Sequence, residues 1–136
     1  MGFLTGKKAL IVGVASNRSI AWGIAESMAA NGCEVAFTYQ TEKLKGRVEK
    51  CAEICNSSIV IPCDVSSDEQ IKDTFVELKK SWDGFDILIH SVAFAERSEL
   101  DGNYLEVTTR EGFLKAHEIS SYSFTALAQA AMPMLN

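Results

Sequence analysis

The stretch Ala9-Leu10-Ile11-Val12-Gly13-Val14-Ala15-Ser16-Asn17-Arg18-Ser19-Ile20-Ala21-Trp22-Gly23 decides the fold. Its first four residues are a continuous apolar run, the pattern of a strand buried on both faces, and Gly13 ends it. A helix is expected from Ile20, with Ile20, Ile24 and Met28 on one face and Asn31-Gly32 as its stop. The turn between them does not match G-x-G-x-x-G, because two of the expected glycines are replaced and the turn is longer. Its physical requirement can still be met. Gly13 permits a sharp turn beside a ligand. The N–H groups at Ser19 and Ile20 would open a helix, where partial positive charge and free donors suit a pyrophosphate. The Ser19 hydroxyl adds a donor, and Gly23 is expected to leave room for helix against strand. An ordinary serine-capped helix explains the same residues.

Working outward, the alternation repeats. Glu34-Val35-Ala36-Phe37-Thr38-Tyr39 reads as a second strand, followed by a charged helix from about Glu42 to Cys55. Ile59-Val60-Ile61 reads as a third strand. Ser66 or Ser67 then caps a helix whose inner face is Ile71, Phe75, Leu78 and Trp82. Asp86-Ile87-Leu88-Ile89-His90 is the fourth strand. A long polar loop from about Phe94 to Thr109 and a last helix from about Arg110 to Met132, ended by Pro133, complete the chain. The order β-α-β-α-β-α-β, with connections too long for hairpins, implies a doubly wound α/β fold of parallel strands with helices on both faces, ending after the fourth strand and its following helix. Residues 1–136 are read as the dinucleotide-binding part of one Rossmann domain.

Composition narrows the function. With 47% apolar and 23% charged residues the chain is globular rather than disordered. A net charge of −5 without a basic run argues against nucleic acid. No apolar run is long enough to span a bilayer, and the opening residues do not form a signal peptide. Cys33, Cys51, Cys55 and Cys63 match no zinc spacing, so no metal is expected and the thiols read as reduced in a cytoplasmic protein.

Candidate ligand-binding residues follow each strand. Gln40 ends strand two, where a dinucleotide fold meets the adenosine ribose. An amide can hydrogen-bond the ribose hydroxyls, and no Arg follows Tyr39 to pair with a 2′-phosphate, which favours NAD over NADP despite Lys43 and Lys45 nearby. Asp64 and Val65 follow strand three. Asp64 either accepts from an adenine amino group, with Val65 against the ring, or caps the next helix. Ser91, Val92 and Ala93 follow strand four, small enough for a cofactor to lie against the backbone. His90 and His117 read as structural residues. The small residues Ser120, Ser121, Ser123, Ala126, Ala128 and Ala130 serve either packing on the sheet or a subunit interface.

These residues carry a resemblance. Gly2-Phe3-Leu4-Thr5-Gly6-Lys7-Lys8, the turn from Gly13 to Ala21, Phe37-Thr38-Tyr39-Gln40, Cys63-Asp64-Val65, the run His90 to Ala95, Thr109-Arg110-Glu111-Gly112-Phe113 and His117 to Phe124 resemble bacterial NADH-dependent enoyl-[acyl-carrier-protein] reductases of the short-chain dehydrogenase superfamily, along essentially the whole chain. The resemblance implies reduction of the trans-2 double bond of a fatty acyl thioester on acyl carrier protein, in fatty acid biosynthesis, by a cytoplasmic homotetramer. It assigns Gly13, Ser19 and Ile20 to the pyrophosphate and nearby ribose, and Gln40, Asp64 and Val65 to the adenosine. Ser91, Val92 and Ala93 fall to the nicotinamide side and Ala95 to the substrate pocket. Val92 and Ala93 depart conservatively from the commoner Ile-Gly or Ile-Ala. The family's catalytic Tyr-x6-Lys pair is expected beyond Asn136, because Tyr39, Tyr104 and Tyr122 have no Lys seven residues on. The chain alone is therefore expected to bind NADH weakly and not to turn over. A ketoacyl reductase, a non-catalytic dinucleotide-binding module and a flavodoxin-like domain are the competing readings. The Ser19-Ile20 turn argues against the first, and neither an acidic phospho-acceptor pocket nor an FMN loop supports the last.

Overall fold

The computed structural model describes residues 2–136. Four strands, β1 (Lys8–Val12), β2 (Glu34–Tyr39), β3 (Val60–Pro62) and β4 (Ile87–His90), form one sheet in the order β3-β2-β1-β4, with every pairing parallel. This is the doubly wound arrangement expected, and the strand order reverses between β1 and β4. The third strand lies one residue later than Ile59–Ile61. Pro62 ends it, at the sheet edge, where a missing N–H breaks no ladder.

Side-chain alternation along β1 builds two cores. Ala9 and Ile11 face one side, with Val35, Phe37 and Tyr39 of β2. Against them pack Ala21, Trp22 and Ala25 of α1 (Ile20–Ala30) and Val48, Cys51 and Ala52 of α2 (Glu42–Ile54). Leu10 and Val12 face the other side, with Ala36. There Ile71, Phe75 and Leu78 of α3 (Asp68–Leu78) meet Trp82, Phe85, Ala126 and Leu127, so the expected inner face of this helix is buried. Ser67 is the residue that caps α3, its side chain accepting from the Gln70 N–H.

Four expectations need correction. The buried face of α1 is Ala21, Trp22 and Ala25, with Met28 partly buried against the same core, while Ile20 and Ile24 lie outside it. Ile20 is 78% exposed because the helix starts there, beyond the strand ends, while alanines allow close approach to the sheet lower down. Gly23 faces open space and makes no room for a strand. The polar loop after β4 contains a 3₁₀ turn (Arg97–Glu99) and a short helix α4 (Tyr104–Val107). The last helix is two: α5 (Arg110–His117) and α6 (Ser123–Ala131) are joined by a π-helical turn at Glu118–Tyr122. A hydrophobic pattern carries no mark of such a one-residue widening. Of the small residues, Ser123 and Ala126 are buried, and α6 packs on α3.

At the other end of the sheet Asp86 ties the start of β4 to the start of β1. One of its carboxylate oxygens accepts from the Lys8 N–H at 2.9 Å, and the other faces Lys7 Nζ at 3.4 Å and Asn136 Nδ2 at 3.2 Å. These donors, the Lys8 amide first, hold its carboxyl below the usual range. Beside it the chain end returns, Phe85 donating to the Met134 carbonyl and accepting from the Asn136 N–H.

Gly13 has φ of +122°, and a Cβ there would collide with the Ser91 carbonyl. Gly13→Ala should therefore destabilise the fold by about 2 kcal/mol or more through backbone strain and overpacking. Gly23→Ala should stabilise it by about 0.5–1 kcal/mol, since it replaces glycine on an exposed helical surface. Urea unfolding of both variants checks the pair; equal effects of the same sign would contradict the geometry.

Candidate functional site

The carbonyl ends of the strands open onto a cleft of about 200 Å3 lined by Val12, Gly13, Val14, Ala15, Thr38, Gln40, Leu44, Cys63, Val65, Ser91, Val92, Ala93, Phe94 and Ile119. It sits where β1 and β4 diverge in topology, the position at which α/β sheets leave a crevice. Each strand end contributes to it, because parallel strands all point their carboxyl ends the same way.

Gly13 forms its floor. The Ser91 N–H donates to the Val12 carbonyl at 2.9 Å, so the two strand ends run on together past His90. A side chain at Gly13 would fill the space between them. The following turn is ordered by Ser19. Its Oγ accepts from Ala15 N–H at 2.9 Å and Ser16 N–H at 3.2 Å. It makes no cap bond to α1, so the plain serine-capped helix is excluded; Ser19 braces the turn instead. With two amides donating to it, its own proton remains available to an acceptor. The first N–H groups of α1 lie at the same end, where the helix geometry gives them no intrahelical acceptor.

Gly13, Gln40, Val65, Ser91, Val92 and Ala93 are thus brought together around one cleft. Ser19 stands behind its turn, Ile20 is exposed at the start of α1, Asp64 lies just outside, and Ala95 follows the wall formed by Phe94. Asp64 does not cap α3. Its Oδ1 accepts from the Ser66 N–H at 2.9 Å and the Ser66 hydroxyl at 2.7 Å, closing a turn before the helix. Thr38, Leu44, Cys63, Phe94 and Ile119 are lining residues that sequence reasoning did not single out. Thr38 lies two residues before Gln40 on the same strand face and was legible in principle. Ile119 comes from the π-helical turn, and nothing in the sequence points to it. Burial pushes the Cys63 thiol up, so it lines the cleft as a protonated, small apolar group.

Gln40 is exposed at the end of β2. Beside it Glu42 accepts from the Tyr39 hydroxyl at 3.3 Å, which sets a carboxylate at the start of α2. Lys45 is drawn toward Glu49 at 3.9 Å. A carboxylate beside this strand end disfavours an added phosphate there.

His90 lies behind the cleft. Its Nε2 is 2.7 Å from Ser123 Oγ, and that hydroxyl donates to the Ile119 carbonyl. The single hydroxyl proton being committed, His90 donates through Nε2–H. Burial lowers its pKa, so the unfolded chain binds the proton more readily. Stability from this group is therefore complete above the ordinary histidine value of about 6.5 and is lost as pH falls through it toward the lower folded value. His90→Gln should lose less stability than the parent between pH 7.5 and 5.5 in denaturant titrations. Parallel losses would show that His90 is not the titrating group.

Residues 13–136 match the family described as enoyl-(acyl carrier protein) reductase. The chain is 57% identical over 136 residues to the enoyl-[acyl-carrier-protein] reductase [NADH] of Haemophilus influenzae and 55% identical to that of Escherichia coli, all of this chain aligning with 52% of each relative. It therefore spans about half the length of the curated relatives it matches. Among solved structures, the enoyl-[acyl-carrier-protein] reductase (NADH) of Aquifex aeolicus superposes with a TM-score of 0.96 at 46% identity, covering 99% of this chain and 53% of that one. The Anaplasma phagocytophilum reductase, solved in complex with NAD, gives 0.92 at 43% identity, covering 98% and 51%. A parallel sheet in the order β3-β2-β1-β4, a glycine floor at its switch point and this likeness along the whole chain lead to one conclusion: the chain belongs to the enoyl-(acyl carrier protein) reductase family.

Proposed function

We propose that this chain forms the dinucleotide-binding part of an NADH-dependent enoyl-[acyl-carrier-protein] reductase. The observation that carries the reading is the Gly13 cradle at the switch point, where a Cβ would occupy the space between two strand ends. The donor set fits a dinucleotide. Amides at the start of α1 and the free Ser19 proton suit a pyrophosphate, and Gln40 suits the adenosine ribose. Val65 offers an apolar face to an adenine, with Asp64 at its edge. Ser91, Val92 and Ala93 present short side chains on the nicotinamide side, and Ala95 continues toward the substrate.

When bound, NADH supplies the hydride that reduces the trans-2 double bond of the acyl thioester. This chain's residues bind and orient. The backbone beyond β4 holds one wall, Thr38 and Leu44 close the adenosine side, and the neutral His90 keeps charge away from the cleft. The Tyr and Lys that complete the chemistry in the family are supplied by residues other than these 136, since no tyrosine here has a lysine seven residues on. Acyl carrier protein bearing the enoyl thioester is the partner, and the working unit is a homotetramer in the cytoplasm. Among the described residues no helix is long and apolar enough to cross a membrane.

The test is oxidation of nicotinamide cofactors with a crotonyl thioester. The protein translated from its whole reading frame should oxidise NADH in preference to NADPH, while the 136-residue chain shows no turnover. Preference for NADPH would overturn the reading of Gln40 and Glu42. A folded whole protein that binds NADH without reducing the thioester would overturn the reductase assignment.

A further inference from the structure

The wall that follows β4 has no regular structure from Ser91 to Glu96, so no ladder or helix holds it in place. Beyond the Ser91 N–H bond to the Val12 carbonyl, its middle is held from outside by one hydroxyl. The Phe94 N–H donates to Ser120 Oγ at 2.9 Å, and the same hydroxyl donates to the Phe94 carbonyl at 3.1 Å. A serine uses its acceptor and its only proton on a single residue 26 positions away, fixing the peptide planes on both sides of Phe94. Two further contacts bracket the clamp. Lys115 Nζ lies 5.0 Å above the Phe94 ring, and it also bonds Glu96 Oε1 at 2.6 Å.

Ser120 reaches this position because it sits in the π-helical turn Glu118–Tyr122. The wider turn directs Ile119 to the cleft, Ser120 to Phe94 and Ser123 to His90 from one stretch of helix. Both residues before and after the Ser91–Ala93 wall are therefore gripped by serines of the same helical segment. Ser121, between them, is exposed.

We propose that Ser120 is a positioning residue: its double hydrogen bond to Phe94 sets the Ser91–Ala95 backbone at the distance a nicotinamide ring needs to lie against it. This rests on the dinucleotide reading of the cleft given above. The interaction acts on cofactor placement and not on the reacting atoms, so its loss should raise KM for NADH and leave kcat nearly unchanged.

The experiment compares wild type, Ser120→Ala, Ser120→Thr and the control Ser121→Ala in the protein translated from its whole reading frame. It measures NADH kinetics with a crotonyl thioester and amide hydrogen exchange at Phe94. Ser120→Ala should raise KM for NADH about three- to tenfold, the span of one or two lost hydrogen bonds, and speed Phe94 exchange by about tenfold. Ser120→Thr, which keeps the hydroxyl, should restore both, and Ser121→Ala should change neither. Unchanged KM or unchanged Phe94 exchange in Ser120→Ala overturns the proposal, as does a fall in kcat alone or a folded Ser120→Thr that restores neither readout. Should Ser120→Ala not fold, the wild type decides: a protected Phe94 amide supports the clamp and a freely exchanging one overturns it. A wild type that does not oxidise NADH at all removes the dinucleotide reading itself, which separates that failure from a failure of the clamp.

Discussion

The close passage of Gly13 against the Ser91 carbonyl is the constraint around which the site is arranged. β1 and β4 are neighbours in the sheet although the chain between them builds two other strands and three helices. Where they leave the ladder, one chain must turn toward α1 and the other toward the loop after His90. A positive φ and the lack of a Cβ let the first turn happen within van der Waals distance of the second. Without that approach the Val12–Ser91 hydrogen bond would be the last link between the two ends, and the cleft would have a side chain for a floor.

The two halves of the cleft are stabilised by different means. On the α1 side the backbone turn is braced locally, by Ser19 reaching back to Ala15 and Ser16 within the same few residues. On the β4 side the wall depends on long-range contacts, Ser120 to Phe94 and Ser123 to His90, both from the helical segment that follows a long excursion. That excursion is itself fastened at the start of α5, where the Glu99 carboxylate accepts from the Thr109 N–H at 2.7 Å and lies against Gly112. The carboxylate at a helix start also has favourable electrostatics.

Much of the fold was legible because buried parallel strands leave a plain record. Ala9-Leu10-Ile11-Val12 is apolar without interruption, Val35 to Tyr39 is apolar but for Thr38, and Ile71, Phe75, Leu78 and Trp82 keep helical spacing. The face of α1 was misjudged for the opposite reason. Its packing surface is alanine and one tryptophan, and hydrophobicity alone ranks Ile20 and Ile24 above the alanines that approach the sheet. In the site, the residues directly after each strand were readable from the rule that ligands meet strand carboxyl ends, and Gly13, Gln40, Val65, Ser91, Val92 and Ala93 do surround one cleft. Asp64 does not take the capping role the sequence also allowed, since Ser67 caps α3 and Asp64 closes the preceding turn.

By itself the sequence determined the element order, the parallel sheet and the strand ends that carry the cleft, because burial on both faces and short-range turn chemistry are written in consecutive residues. Its likeness to the reductase family was equally a property of local runs such as Gly13 to Ala21 and His90 to Ala95. Only the tertiary structure decided that Ile119 lines the cleft, that Ser120 and Ser123 grip Phe94 and His90, and that Ser19 braces a turn rather than capping a helix. The physical reason is range and direction. A hydroxyl can serve many partners, and which one it meets depends on a one-residue widening of a helix and on the path of a loop that no periodicity records.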